Sequence, residues 1–228
     1  MPVIAFANPK GGSGKTTSAL LLATTLAMRG AKVRVIDADP EHYISRWGAL
    51  PGTPDGLTIE TDVTEDTIMD AIEAAEKAAQ FVIVDLEGTA SHMIANTVSM
   101  ADLVVVPVQG SGLDAHGAVK MLRLIKGEER KVRRPIPYAI LLTRTSAAIM
   151  SRALRNIIDQ LRESGAEMFS TSIVERAAFR DMFDYGGPLE QLDPSRVSNL
   201  EKAVLNAQEF TGEVLTKIKA AQAARKVA

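Results

Sequence analysis

The sequence predicts a three-layer α/β fold in which a mostly parallel central sheet is flanked by helices. Three observations carry this. A glycine-rich stretch, Asn8-Pro9-Lys10-Gly11-Gly12-Ser13-Gly14-Lys15-Thr16-Thr17, separates a short apolar run (Val3 to Ala7) from a helical pattern. An alternating stretch over Lys32 to Ile36 leads into Asp37, and apolar runs over Phe81 to Val84 and Leu103 to Val106 lead into Asp85 and Pro107, as strands of a buried parallel sheet do. Segments of helical period stand between them, the alternation that builds βαβ units. A chain of 228 residues accommodates one such domain, spanning 1–228, with a full core.

The glycine-rich turn is the first element. Between a strand and a helix it aims backbone N–H groups and the positive helix end into one concavity suited to phosphate. Gly14-Lys15-Thr16 fit the phosphate-loop pattern, whereas its leading glycine is replaced by Pro9. Gly11, Gly12, Ser13, Gly14, Lys15, Thr16 and Thr17 are the expected cradle. Lys15 is expected to reach the β and γ phosphates, and the Thr16 hydroxyl to ligate Mg²⁺. Lys10, at the loop entrance, is one cation more than a single nucleotide needs.

Thr16 to Arg29 reads as a helix with Leu20, Leu21, Leu22, Leu26 and Met28 inward and Gly30 closing it. The next strand ends in Asp37-Ala38-Asp39-Pro40. Two carboxylates thus stand at the C-terminal end of a strand, where open α/β sheets bind ligands, and they also suit capping of a helix over Glu41 to Trp47. A surface loop over 50–56, a strand over 57–60 and a helix from Glu65 to Ala78 follow. Asp85 closes an apolar strand as a Walker B carboxylate does, with a place in the Mg²⁺ shell, and Asp85-Leu86-Glu87-Gly88 sets the Gly88 N–H to sense a γ-phosphate.

After the strand at 103–107, Gly110-Ser111-Gly112 mimics a dinucleotide fingerprint, but the first βα turn is already a phosphate loop. The charged run from Lys126 to Arg134 reads as a solvated helix end and loop, with Glu128 and Glu129 weighing against nucleic-acid contact. A strand from Ile136 to Leu142 ends in Thr143-Arg144-Thr145-Ser146, where guanine-specific enzymes carry an Asp. Ser146 cannot form that charge-assisted pair, which favours adenine. Met150 to Ser164 is a helix with Arg152, Arg155 and Arg162 outward. Arg176 and Arg180 are spaced for one helical face and, with Arg152 and Arg155, make a candidate phosphate-binding strip. The last helix runs from Asp193, with Val197, Leu200, Val204, Leu205, Phe210, Val214, Leu215 and Ile218 as its apolar positions.

Lys10-Gly11-Gly12-Ser13-Gly14-Lys15-Thr16 resembles the deviant Walker A motif of the ParA/MinD family of ATPases. Asp37-Ala38-Asp39-Pro40, the Asp85 strand and the segment from Ser172 to Leu189 resemble further parts of the short ParA-type partition ATPases. The resemblance implies a P-loop NTPase fold and ATP and Mg²⁺ as cofactors. It gives Lys10 a cross-subunit contact in an ATP-sandwich homodimer, Asp39 the positioning of the attacking water, and Asp37 a water-mediated hold on Mg²⁺. It further implies non-specific DNA binding by the dimer, a ParB-like stimulating partner, and segregation of a plasmid, chromosome or other cargo. Prolines that many partition ATPases carry after the Walker B aspartate are absent here.

Composition narrows the alternatives. The chain has no cysteine, which removes disulfides, thiolate metal sites and an iron–sulfur relative. No apolar run approaches the length of a bilayer span and no leader pattern opens the chain, so the expected address is the cytoplasm, and the resemblance implies association with the nucleoid there. A net charge of −2 restricts any nucleic-acid surface to a local patch. Two other classes compete: a membrane-associated positioning ATPase of the MinD type, against which the alanine-rich tail argues, and an ATP-dependent small-molecule synthetase.

Overall fold

The computed structural model describes residues 1–88, 92–109, 112–146, 152–163 and 165–227, without the side chains of 112–115, 152, 153, 226 and 227. Its strands are β1 (Val3–Phe6), β2 (Val33–Ala38), β3 (Leu57–Glu60), β4 (Phe81–Leu86), β5 (Leu103–Val108), β6 (Tyr138–Thr145) and β7 (Ile173–Val174). They form one sheet in the order β3-β2-β4-β1-β5-β6-β7, and every described pairing is parallel. The chain reverses its winding at β1, so the crevice beyond the ends of β1, β2 and β4 is where such a sheet binds ligands.

Among the described residues eight α-helices make the outer layers: α1 (Lys15–Met28), α2 (Tyr43–Gly48), α3 (Ile68–Ala78), α4 (His92–Met100), α5 (Gly112–Val132), α6 (Arg152–Glu163), α7 (Ala177–Tyr185) and α8 (Leu200–Val227). Alternate residues along β1 serve opposite faces. Ile4 and Phe6 join a core with α1, α2, α7 and α8, whereas Val3 and Ala5 join one with α3, α4, α5 and α6. The first core is stitched by Phe210 of α8, edge-on to Phe6 and Phe169 at centroid distances of 6.5 and 5.5 Å. At the sheet's N-terminal edge, Asp102 accepts the Val3 N–H at 2.9 Å and pairs with Arg225 of α8.

Several boundaries differ from the sequence expectation. Met28 and Leu205 are exposed, because each faces away from the sheet on its helix. The last helix begins at Leu200 rather than Asp193, since Asp193 bonds the Ser195 N–H and hydroxyl in a local turn and Asn199 takes φ 54°. The strand expected over 136–142 lies at Tyr138–Thr145. The charged run from Lys126 stays helical through Val132. Gly110 and Ser111 of the dinucleotide-like match, Met150, and Ser164 lie outside the described residues.

Candidate nucleotide-binding site

The loop after β1 is fixed from three sides. Asn8 is buried, donates from Nδ2 to the Pro107 carbonyl at 2.6 Å and accepts the Lys10 N–H at 3.0 Å. From β6, the Thr143 hydroxyl donates to the Ser13 carbonyl at 2.7 Å and abuts Gly14, whose φ of 94° only glycine adopts readily. Gln109 bonds the Gly12 carbonyl. Gly14 is the N-cap of α1 and brings no side chain to that helix end, so its first-turn N–H groups are left for an anion.

Lys15 is 5% exposed, and burial lowers its ammonium pKa against the pull of Asp85, Asp39 and Glu87. Asp37 and Asp85 are register partners on β2 and β4, both fully buried. Burial pushes the Asp85 carboxyl up to about 8; the Thr16 hydroxyl and Lys15 oppose this, while Asp37 and Asp39 add to it. Among the described residues neither Asp85 oxygen has a hydrogen-bond partner of full geometry, the Thr16 hydroxyl being the nearest approach, nor do Asp37 Oδ1, Ser13 Oγ and Ser18 Oγ. Orphaned buried acceptors of this kind normally meet an ion, water or ligand. The Thr16 hydroxyl beside two such carboxylates is an all-oxygen donor set, the kind Mg²⁺ takes.

Asp37 and Asp39 serve structure as well. Asp37 Oδ2 accepts the Ser45 N–H at 2.8 Å and the Ser45 hydroxyl at 2.6 Å, and Asp39 Oδ1 accepts the Glu41 N–H at 3.0 Å. The helix they support starts at Tyr43 rather than Glu41, because His42 takes a left-handed φ of 49°. Gly88 lies against the loop: a Cβ there would stand 3.0 Å from the Gly11 nitrogen. Gly11 to Thr17, Asp39 and Gly88 all line one cleft of about 700 Å³, a size typical of nucleotide-scale ligands. Lys10 sits half-buried at its entrance, with Gly117 of α5 beside it.

The two arginines of the expected strip do not share a helical face. Arg176 precedes α7 in an extended conformation, φ −141°, because the chain has just left β7, and only Arg180 is helical. Both line a smaller annex of about 170 Å³ that continues the cleft past Gly14 and Thr17. The Arg176 Nε is buried there without a partner among the described residues. Arg155 is exposed on α6, and the Arg152 side chain lies outside the described residues. Sequence reasoning passed over Thr143, Arg144 (φ 50°) and Phe183, which complete the cavity wall. Their common signal was position, at or facing the C-terminal end of β6.

The family model described as VirC1 protein matches residues 1–207. The chain belongs to the ParA/MinD family of ATPases. It is 37% identical over 218 residues to Protein ParA of Rhizobium radiobacter, covering 96% of this chain and 98% of that one. The maintenance of carboxysome distribution protein A of Halothiobacillus neapolitanus is 28% identical over 195 residues, covering 83% and 87%. Among solved structures, apo McdA of Cyanothece shares the fold with a TM-score of 0.75 at 18% identity, covering 92% of this chain and 99% of that one. These family proteins are P-loop ATPases, and the sheet, loop and carboxylates described above are the parts of one.

Proposed function

We propose that this ParA/MinD-family chain hydrolyses ATP and uses ATP occupancy to pair two copies. The observation that carries the reading is one locality that holds a helix-opening phosphate loop lining the cleft, a second lysine immediately before it in the chain, and the buried Asp85 carboxylate beside Thr16 and Lys15. Lys15 and the α1 N–H groups hold the phosphates, and Lys10, at the start of the loop, reaches the nucleotide of a facing subunit. Thr16, Asp85 and Asp37 would hold Mg²⁺, which would supply neutralisation of phosphate charge. Asp39 spends one oxygen on the Glu41 N–H and keeps the other to orient a water. Gly88, packed on Gly11, couples the γ-phosphate position to the segment after β4.

In this reading the ATP dimer associates with DNA irrespective of sequence, through cations that include the exposed Arg155 and Arg162 of α6, while Arg176 and Arg180 belong to the nucleotide. A ParB-like partner stimulates hydrolysis and resets the dimer, and the cycle moves or positions a plasmid, chromosome or other cargo in the cytoplasm. Membrane attachment is disfavoured because α8 spends Ala203, Ala207, Phe210, Val214 and Ile218 on the core. Among the described residues no helix is long and apolar enough to cross a membrane.

The test is light scattering of the purified chain with ATP and Mg²⁺, with ADP, and alone. The expected result is a dimer with ATP only. Lys10→Ala keeps nucleotide binding and loses the dimer, and Asp39→Ala traps it. A monomer under all three conditions, or an unchanged Lys10→Ala dimer, overturns the proposal.

A further inference from the structure

The charged run in the second half of α5 has a feature hidden in the order of its letters. At 100° per residue, Lys120, Arg123, Lys126, Arg130 and Lys131 fall within one arc of α5, and all five are exposed. The two glutamates of the run lie outside that arc, and each pairs with one of its lysines, leaving Lys120, Arg123 and Arg130 as its uncompensated cations among the described residues. Glu128 is 7% exposed and holds Lys131 at 2.7 Å; Glu129 turns inward to accept the Ile136 N–H at 3.0 Å and pairs with Lys126 at 3.3 Å. Lys120 and Arg123 have no ion-pair partner among the described residues, and Arg130 bonds only a helix carbonyl. No described acidic side chain shares the arc.

Gly127 lies in the middle of the same arc, and nothing stands within 4 Å of where its Cβ would be. The helix backbone is therefore bare between Arg123 and Arg130, and a phosphodiester can approach it closely. The neighbouring α4, which packs on α5, carries no Asp, Glu, Lys or Arg, so it adds no opposing charge. Asp159 and Glu163 of the other neighbour, α6, stand on a helix that also presents Arg155 and Arg162. From Lys120 to Arg130 the cations recur every three or four residues, a rise of about 5 Å per step over about 15 Å. Duplex DNA carries a phosphate per about 3.4 Å of axis on each strand, so one backbone can engage several of them at once.

We infer that the outer face of α5, centred on Lys120, Arg123 and Arg130 around Gly127, is the surface that takes the phosphate backbone of DNA. The inference rests on the reading of the chain as a DNA-associating ATPase and moves the contact away from Arg176 and Arg180. The occupant is a polyanion of regular spacing, because the surface offers cations and bare backbone and only Val119, 37% exposed, as apolar content.

The test is fluorescence anisotropy of a fluorescein-labelled mixed-sequence duplex with the full chain, ATP and Mg²⁺, titrated between about 50 and 200 mM KCl. Lys120→Gln/Arg123→Gln/Arg130→Gln is expected to weaken binding at least about tenfold and to lower the slope of log affinity against log salt by about 2–3. Binding of a fluorescent ATP analogue stays unchanged, which certifies the fold, and Arg123→Glu alone gives a smaller loss of the same sign. If wild type binds the duplex and the triple variant binds it equally well, the α5 surface is overturned while the DNA reading stands. If wild type binds no duplex with any nucleotide, both fall. A triple variant that loses only adsorption to phosphatidylglycerol vesicles, with DNA affinity intact, also overturns the inference.

Discussion

Asp85 and Asp102 lie at opposite edges of the same sheet, one ending β4 and the other preceding β5, and they are treated in opposite ways. Asp102 is saturated: one oxygen takes the Val3 N–H, the other takes Arg225, and the nearby Arg134 reaches the Ala101 carbonyl. Asp85 is fully buried, and neither of its oxygens has a hydrogen-bond partner of full geometry among the described residues. Burying a carboxylate without partners costs several kcal/mol in a stability sense, and a fold retains one where a ligand completes it. The contrast separates a residue that holds the chain together from one that is held ready.

Three substitutions sharpen that contrast. The largest effect is expected from Asp85→Asn, which should weaken Mg²⁺-dependent ATP binding more than about 100-fold, measured by calorimetry with and without Mg²⁺. The same change should stabilise the nucleotide-free chain. With the folded carboxyl raised to about 8, the folded state keeps a proton that the unfolded chain loses above its ordinary value of 3.8. Stability from this group therefore declines as pH rises from about 4 to 8, and the melting-temperature gain of Asp85→Asn should be larger at pH 8.5 than at pH 5. Equal gains at the two values would show that Asp85 is already charged at pH 5.

Asp102→Ala should do the reverse. It unpairs the Val3 N–H and frees Arg225, costing about 1–3 kcal/mol in denaturant unfolding, with ATP affinity untouched. A loss of nucleotide binding in this variant would erase the distinction between the two edges. Gly88→Ala is expected to be mildest, since its new Cβ meets the Gly11 nitrogen at 3.0 Å and the loop must give. The strain is about 1–2 kcal/mol, read as a melting temperature lower by a few degrees and a roughly tenfold weaker ATP affinity.

Much of this was legible in the letters. The phosphate loop, the strands ending at Asp37 and Asp85, and the leucine face of α1 each obey a short-range rule, and the structure has them where those rules say. What escaped depends on contacts far apart in sequence. Arg176 reads as helical by spacing, but β7 pairs with β6 and holds the chain extended up to it. β7 itself has two residues, too few for a periodic signal. His42, Arg144 and Asn199 take left-handed backbone conformations without being glycine, which no local preference announces. Glu128 and Glu129 count as neutralising charge in the sequence, and only their partners reveal that they leave Lys120, Arg123 and Arg130 uncompensated among the described residues.

The junction of Arg225 with Asp102 also has a practical meaning. It anchors the far end of α8 at the foot of β5, whereas the phosphate loop meets that strand near its other end, through Asn8 and Pro107. Five residue steps from Asp102 to Pro107, about 17 Å, separate the two points. An affinity handle or fluorophore placed on the exposed part of α8 near Arg225 would therefore stand away from the ligand mouth. Immobilising the protein by that route would leave the cleft open to nucleotide and to a second copy.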